Sequence, residues 1–431
     1  MRKYHQLLLV IISCISIIVL LTYKSENSRL KDVLSAVHFF SRKDADELRL
    51  LNNFTAVDED IINFNRPLPV WQLVGDSFYA YASYYQRNEL VSSGSEVLTL
   101  VTGKTGAVVN FLCKAHYDDG RIIQGKFRFQ HLNQDDKTST AFTNYIFYCR
   151  LKSDLKEPNN IIYTDLTGDG SSTGHQLRLR FVKSTQGSNV PQTQLAICLD
   201  LASFNMSSSF GQNYMNLLEF FIHHYVVGVK QFIVYNGDEL TEILLQKLMK
   251  HKNIHIHLLP FNFPFANNKS NTTNFREIVK TDCLLRSMHK AKFVTLLEPN
   301  EFFFPNAKLS AENSVIYSLN SQSAADTIHQ LQTYSVCYAD KKHDLLTNSS
   351  FYDPEVVQPH TINILRPVVP TLSSPKSGVN EVVPSLAFAH RYTDCVHVGN
   401  DGLHMWQNSL RQDFMNNLLA FRKEVRELIY N

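Results

Sequence analysis

The chain has 431 residues, of which 44% are hydrophobic and 19% are charged. This composition is too apolar for a largely disordered protein, and the length predicts two or three domains. The 42 basic and 40 acidic residues leave a net charge of +2, which lacks the basic excess typical of nucleic-acid-binding proteins, so we expect no nucleic-acid partner.

The first element along the chain is an apolar segment, residues 7–23, that follows Arg2 and Lys3. The uncharged stretch is just long enough to cross a bilayer, and no small-residue cleavage site follows it. A cleaved signal peptide is the alternative, but the missing cleavage site favours an uncleaved signal anchor. Because the basic flank is N-terminal, we expect residues 1–6 to be a cytosolic tail and the rest of the chain to be luminal.

Cysteines and glycosylation sequons agree with a secretory-pathway protein. Of the seven cysteines, Cys14 lies in the apolar segment and the other six follow it, an even number that permits three disulfides. The pairing stays open from sequence alone. Sequons for N-glycosylation occur at Asn53, Asn205, Asn268, Asn271 and Asn348.

Three segments follow the predicted anchor. Residues 24–69 are predicted to be a stem, residues 70–183 a β-rich module in the form of a small sandwich or barrel, and residues 184–194 a linker. The β-rich prediction rests on short runs of alternating apolar and polar residues. These runs are 77–85, 96–102, 107–116, 122–132, 141–151 and 176–182.

From residue 195 strands and helices alternate, which predicts an α/β domain with a mostly parallel, doubly wound sheet. We assign residues 195–431 to this domain. The predicted strands are 195–201, 231–235, 254–259 and 293–297, and further strand-like segments follow at 326–337, 361–365 and 385–389. The predicted helices are 213–227, 239–250, 275–289 and a terminal amphipathic helix at 413–430.

The fourth predicted strand of this domain ends in an acidic turn, Glu298-Pro299-Asn300-Glu301. Ligands of open α/β sheets bind beyond the carboxyl ends of the strands. Carboxylate and amide oxygens suit Mg²⁺ or Mn²⁺, and such a cation neutralises charge on a nucleotide leaving group. The alternative is an ordinary solvated or helix-capping turn.

Several short motifs occur in a fixed order through this domain. The first group is Cys198, Glu219, His224-Tyr225, Gly228 and Tyr235-Asn236. The second group is Thr281-Asp282-Cys283-Leu284-Leu285-Arg286, Glu298-Pro299-Asn300-Glu301-Phe302 closing at Pro305, Arg366-Pro367 and His390-Arg391-Tyr392. In their residue types and order these motifs resemble glycosyltransferase family 92.

The resemblance implies a GT-A-type fold and an inverting transfer of galactose from a UDP-sugar donor, UDP-galactose, to a glycan acceptor. It also implies a divalent cation, Mn²⁺ or Mg²⁺, and a single-pass type II protein of the Golgi membrane. The residues implied to hold the metal are Glu298, Asn300, Glu301 and His390. The residues implied to bind the donor are Asp200, Glu219, Asn236, Arg286 and Arg366.

Some of these residues also have a structural interpretation. Asp200 is equally suited to a turn, His390 to a buried core position, and Arg286 to an ion pair with Asp282 one helical turn away. The pair His223-His224 has no third partner at metal-ligand spacing, so we predict a structural role for it. The sequence identifies no catalytic base.

Two departures from the family motifs leave a second function open. Asn300 stands where the family has a carboxylate, which lowers the expected metal affinity, and Arg391 and Tyr392 stand in exchanged order. The alternative function is a non-catalytic homologue that binds a glycan or a protein. A membrane-tethered adhesion or receptor module, built on the β-rich segment, is a further alternative.

Overall fold

The computed structural model describes most of the chain from residue 71 onwards. The described residues are 71–75, 77–87, 95–132, 142–152, 158–166, 175–178, 193–201, 214–236, 244–246, 248–249, 254–261, 264, 272–288, 290–305, 328–338, 350–357, 361–367, 379–384, 386–394, 404–406, 416, 419–420, 423 and 427. They all belong to one unit, Ile62–Asn431. The predicted tail, anchor and stem and all five sequons lie outside the described residues.

Within the described part of the chain, no helix combines the length and the hydropathy needed to cross a membrane. The predicted anchor at 7–23 is not part of that region and stays a prediction. Of the predicted terminal helix, the five described residues are all helical and exposed.

The β-rich module is an antiparallel sheet of eight strands in the order β1-β2-β3-β6-β5-β4-β7-β8. Its strands are β1 Gln72–Val74, β2 Phe78–Arg87, β3 Ser95–Lys104, β4 Phe111–His116, β5 Ile122–His131, β6 Phe142–Leu151, β7 Asn160–Asp165 and β8 His175–Arg178. The six predicted runs correspond to β2–β6 and β8. The pattern missed β1, which has only three residues, and β7, in which Ile161, Ile162 and Tyr163 are consecutive and so interrupt the alternation.

The sheet of the module turns a corner at Gly125. Residues of β5 up to Gly125 pair with β4, whereas those from Lys126 onwards pair with β6. On the inside of this corner, Cys113 of β4 and Cys149 of β6 form a disulfide. A Cβ atom at Gly125 would lie 2.3 Å from the Cys149 Sγ, so the close approach of the disulfide requires glycine here.

A second, seven-stranded sheet has the order β11-β10-β9-β12-β17-β14-β18. The first four strands run parallel, and β17 then pairs antiparallel with β12. The strands are β9 Thr193–Asp200, β10 Gln231–Asn236, β11 His255–Pro260, β12 Ala291–Leu297, β14 Ile328–Leu331, β17 Ile362–Leu365 and β18 Val379–Val382. The strands predicted at 195–201, 231–235, 254–259 and 293–297 are confirmed as β9, β10, β11 and β12, to within two residues at each end.

Two helices connect the parallel strands in the described part of the chain. Helix α1, Tyr214–Val226, follows β9, and helix α2, Thr272–Ser287, precedes β12. Gly228, with a φ of 104°, follows α1 at the position where the sequence predicts the helix to stop. For the helix predicted at 239–250, residues 244–246 and 248 are helical and the others lie outside the described residues.

A third sheet has five strands in the order β13-β19-β15-β16-β20. They are β13 Glu301–Pro305, β15 Thr333–Tyr338, β16 Ser350–Val357, β19 Ala387–Asp394 and β20 His404–Trp406. The described fold is therefore mixed α/β and rich in strands. The second half of the chain contains this additional sheet. The predicted segments 326–337 and 385–389 overlap β15 and β19, but the sequence pattern did not predict a separate sheet.

The β-rich module and the α/β region share one hydrophobic core. Tyr81, Leu98 and Ile146 of the module pack in the same buried cluster as Cys198 of β9 and Ile278 of α2. Within this cluster, a second disulfide joins Cys198 to Cys283 of α2. Two of the three disulfides that the cysteine count permits are therefore observed. The side chain of Cys337 and all of Cys395 lie outside the described residues.

Candidate functional site

The parallel strands bring several predicted site residues to one edge of the seven-stranded sheet. Leu199 of β9 pairs with Leu297 of β12, so Asp200 and Glu298 follow at the same edge. Tyr235 of β10 pairs with Asp200, which places the next residue, Asn236, there as well. Asp200 is buried, and the side chain of Asn236 lies outside the described residues. The ends of β9, β10 and β12 therefore lie side by side at this edge.

The acidic turn is held together by its own polar groups. The Glu301 carboxylate accepts a hydrogen bond from the Glu298 backbone N–H at 2.8 Å, and the Glu301 side chain is fully buried. Asn300 donates from its side-chain amide to the Tyr392 carbonyl at 3.0 Å. Glu301 and Asn300 therefore shape the turn and attach it to β19.

Glu298 is the residue of the turn that faces outward, and two arginines bind its carboxylate. Arg276 of α2 donates to one oxygen, and Arg391 of β19 donates to the other at 2.6 Å. The side chains are 28% exposed for each arginine and 18% exposed for Glu298. This arrangement is a surface triad of two cations and one anion, which we call the Arg–Glu–Arg triad.

His390 lies in the core of the five-stranded sheet. Its ring is fully buried, with its centre 4.4 Å from that of Phe304 and 5.2 Å from that of Phe388. Burial lowers the pKa of His390 to about 3, so the imidazole is neutral at ordinary pH. The structure agrees with the core interpretation of this histidine.

The four residues implied to hold a metal do not fit that role in this arrangement. Both oxygens of Glu298 accept hydrogen bonds from arginines, Glu301 and Asn300 are buried in the turn, and His390 is enclosed by aromatic rings. Among the residues that the structure describes, no group of three or more His, Cys, Asp or Glu side chains could hold a metal ion. We therefore derive no chemical step through a cation.

Arg286 is fully buried, so its placement excludes it from contact with a donor. It donates to both oxygens of Asp282 at 3.0 and 3.1 Å, which is the ion pair considered as its alternative role. Asp282 also accepts hydrogen bonds from the hydroxyls of Tyr235, at 2.6 Å, and of Tyr84 in the β-rich module. Burial raises the pKa of both tyrosines well above 10, so both phenols keep the proton that they donate.

Arg366 lies away from the strand-end edge. It follows β17, which runs antiparallel to β12, and its guanidinium lies 5.4 Å from the centre of the Phe293 ring. Glu298 is five residues further along β12, or about 16 Å at the rise of a strand. Glu219 is buried on α1. The structure therefore does not bring Arg366 to the acidic turn, and it buries Glu219.

The histidine pair of α1 supports the strand that follows the turn. His223 Nε2 donates to the carbonyl of Phe303, and the Phe303 N–H donates to His224 Nε2 at 3.4 Å. Phe303 belongs to β13, which is an outer strand of its sheet among the described residues, and the two histidines bind the edge of β13 that faces away from β19. The predicted structural role of His223-His224 is confirmed.

We expect the free energy of unfolding to fall as the pH decreases from about 6.5 towards 4. Burial lowers the pKa of His223 from 6.5 to about 4, so the unfolded state binds a proton first. The stability due to neutral His223 is therefore complete above the unfolded pKa and is lost as the pH falls towards the folded pKa. This shift corresponds to roughly 3 kcal/mol, and His390 acts in the same direction.

Urea unfolding at pH 7.0, 6.0 and 5.0, read by circular dichroism, measures this effect. The control is His223→Gln, which removes the titrating group and is expected to reduce the slope of stability against pH. An unchanged slope in that variant would show that His223 does not couple folding to protonation.

A cleft of about 270 Å³ opens beside the acidic turn, between α2 and strands β12 and β17. Arg276 and Lys280 of α2 line one side, and Thr361 and Asn363 line the other. Arg276 therefore contacts both the cleft and Glu298. The sequence interpretation missed Arg276, because a single arginine on a helix gives no signal of its own, and included Arg391 only as part of a motif.

Comparison with known proteins agrees with the motif-based resemblance. Residues 204–417, which include α1, α2, the acidic turn and Arg391, match the model of glycosyltransferase family 92. Comparison with curated proteins gave no match. Among solved structures, 4-diphosphocytidyl-2C-methyl-D-erythritolsynthase from Anaerococcus prevotii DSM 20548 is 8% identical with a TM-score of 0.25, over 53% of this chain and 99% of that protein. That similarity is too low to support an argument, whereas the family match confirms the prediction: residues 204–417 of the chain belong to glycosyltransferase family 92.

Proposed function

We propose that the protein is an inverting galactosyltransferase that uses UDP-galactose and a glycan acceptor. The observation that carries this proposal is the match of residues 204–417 to a glycosyltransferase family, which implies a sugar donor and a glycan acceptor in general terms. Galactose, inversion and a type II orientation in the Golgi membrane are drawn from the resemblance of the sequence motifs.

The proposed donor site is the strand-end edge of the seven-stranded sheet together with the neighbouring cleft. Support comes from the parallel order β11-β10-β9-β12, which is compatible with a GT-A-type sheet, and from the general rule that such sheets bind ligands at their carboxyl ends. We assign the nucleoside to the backbone positions of Asp200 and Asn236 at this edge, and the diphosphate to Arg276, which lines the cleft.

In the proposed reaction, an acceptor hydroxyl attacks the C1 atom of galactose from the face opposite to UDP. The new C1–O bond forms as the bond from C1 to the diphosphate oxygen breaks, and the bonding electron pair leaves with UDP. The hydroxyl proton passes to a general base, to which we assign no residue. The protein's part is to align the two reactants and to stabilise the charge on the departing UDP.

The test is a transfer assay with the purified full-length chain, UDP-galactose and a panel of glycans, run both with Mn²⁺ and with excess EDTA. We expect UDP release that depends on an acceptor, and a β-linked galactose in the product. Arg128→Ala, which removes an exposed ion pair with Glu96 on the β-rich module, is the control. Absence of turnover with every glycan and several UDP-sugars would contradict the proposal.

One observation favours the second candidate function, a non-catalytic glycan- or protein-binding homologue. The two arginines bind the outward carboxylate of the turn, which is not the open acidic site of a cation-dependent transferase. This candidate predicts that a glycan from the same panel binds without any acceptor-dependent release of UDP.

A further inference from the structure

We propose that sugar transfer by this chain requires no divalent cation, and that Arg276 and Arg391 bind the diphosphate of the donor in its place. The inference rests on the proposed transferase function and concerns the same strand-end edge. It follows from the disagreement between the metal that the family motifs imply and the side chains found at the acidic turn.

Two positive charges surround the Glu298 carboxylate. A cation bound to this carboxylate at about 2.1 Å would lie within roughly 5 Å of the Arg391 guanidinium, which donates to the same group at 2.6 Å. Arg276 lies equally near on the other oxygen. The Arg–Glu–Arg triad therefore carries a formal charge of +1 and repels a cation, whereas it attracts the anionic donor.

Both guanidinium groups are partly accessible to a ligand from solvent. Each arginine side chain is 28% exposed, and Arg276 lines the cleft beside the turn. A guanidinium has five N–H donors arranged in a planar fork. Since only part of this fork faces Glu298, each arginine keeps donors that a phosphate oxygen can use.

The two arginines lie on different elements of the fold. Arg276 projects from α2 and Arg391 from β19, and the two side chains bind different oxygens of Glu298. Glu298 thereby fixes their spacing, which makes it a positioning residue. A diphosphate at this edge is then held by two groups that are already ordered.

The proposed role agrees with the charge balance of the transfer. When the bond from C1 to the diphosphate oxygen breaks, the electron pair stays on that oxygen and UDP gains one negative charge. Two guanidinium groups at this oxygen stabilise the added charge, as a metal ion does in cation-dependent transferases. The acceptor proton leaves separately to the base, so the step needs no further reactant.

The test measures the binding of UDP to the full-length chain by calorimetry, in excess EDTA and in MnCl₂. We expect dissociation constants within threefold of each other under the two conditions. In EDTA, Arg276→Ala and Arg391→Ala are each expected to weaken UDP binding by at least tenfold, the loss typical of a hydrogen bond to a charged group. Arg128→Ala, an exposed arginine in an ion pair of the β-rich module, should have no effect.

Conservative variants keep the test decisive if an alanine variant does not fold. Arg276→Lys and Arg391→Lys retain the charge but lose the fork, so we expect an intermediate loss of UDP affinity with unchanged circular dichroism. The inference is overturned if UDP binding strictly requires Mn²⁺, or if the arginine variants still bind UDP in EDTA. Either result leaves the proposed transferase function intact. Absence of UDP binding under both conditions overturns the inference and the UDP donor together.

Discussion

Arg286→Met is expected to lower the free energy of unfolding by roughly 3–5 kcal/mol. Arg286 and Asp282 are both fully buried, and Asp282 accepts further hydrogen bonds from Tyr84 and Tyr235. Removing the arginine leaves a buried carboxylate with two phenol donors and no counter-ion. Because Tyr84 belongs to the β-rich module and Tyr235 to β10, the loss also weakens the junction between the two regions.

Urea denaturation followed by circular dichroism measures this loss. The matched control is Arg128→Ala, because the ion pair of Arg128 with Glu96 is exposed and such pairs contribute about 1 kcal/mol or less. The double variant Asp282→Asn with Arg286→Met removes both charges and should be more stable than Arg286→Met alone. If the loss of stability in the double variant equals the sum of the losses in Asp282→Asn and Arg286→Met alone, the two residues do not act as one network.

Removal of the disulfide between Cys198 and Cys283 is expected to cost roughly 4.5 kcal/mol in the double alanine variant. The bridge closes a loop with a sequence separation of 85, and the chain-entropy model relates this length to the cost. The bridge also joins β9 to α2 next to Asp282, so its loss frees the helix that carries Arg276 and Arg286. Thermal unfolding without reducing agent measures the change.

The other disulfide provides the matched comparison. Cys113 and Cys149 are separated by 36 residues, for which the same model gives about 3.8 kcal/mol. We therefore expect the Cys198–Cys283 variant to unfold at the lower temperature of the two. The reverse order would indicate that packing at the corner of the module, against Gly125, outweighs loop length.

The amino-acid sequence by itself determined the local elements and the family. Strands β9 and β10 contain continuous apolar runs, Leu195–Leu199 and Phe232–Tyr235, which are typical of strands that are buried on both faces of a sheet. Helix α1 stops at Gly228 because glycine adopts the positive φ of a helix end at little cost. Motifs that combine such elements with fixed polar residues, as in Tyr235-Asn236, were sufficient to identify family 92.

Only the tertiary structure decided which charged groups meet. Glu298 was predicted as a metal ligand from its place at a strand end, but its environment depends on Arg276 and Arg391, and the latter is 93 residues away along the chain. Asp282 likewise finds Tyr84 at a separation of 198 residues. Sequence periodicity and residue propensity describe neighbours within one or two helical turns. The partner of a charged side chain depends instead on how helices and sheets pack together. The sequence therefore predicts which residue types lie at the strand-end edge, but it does not predict which of their charges are paired.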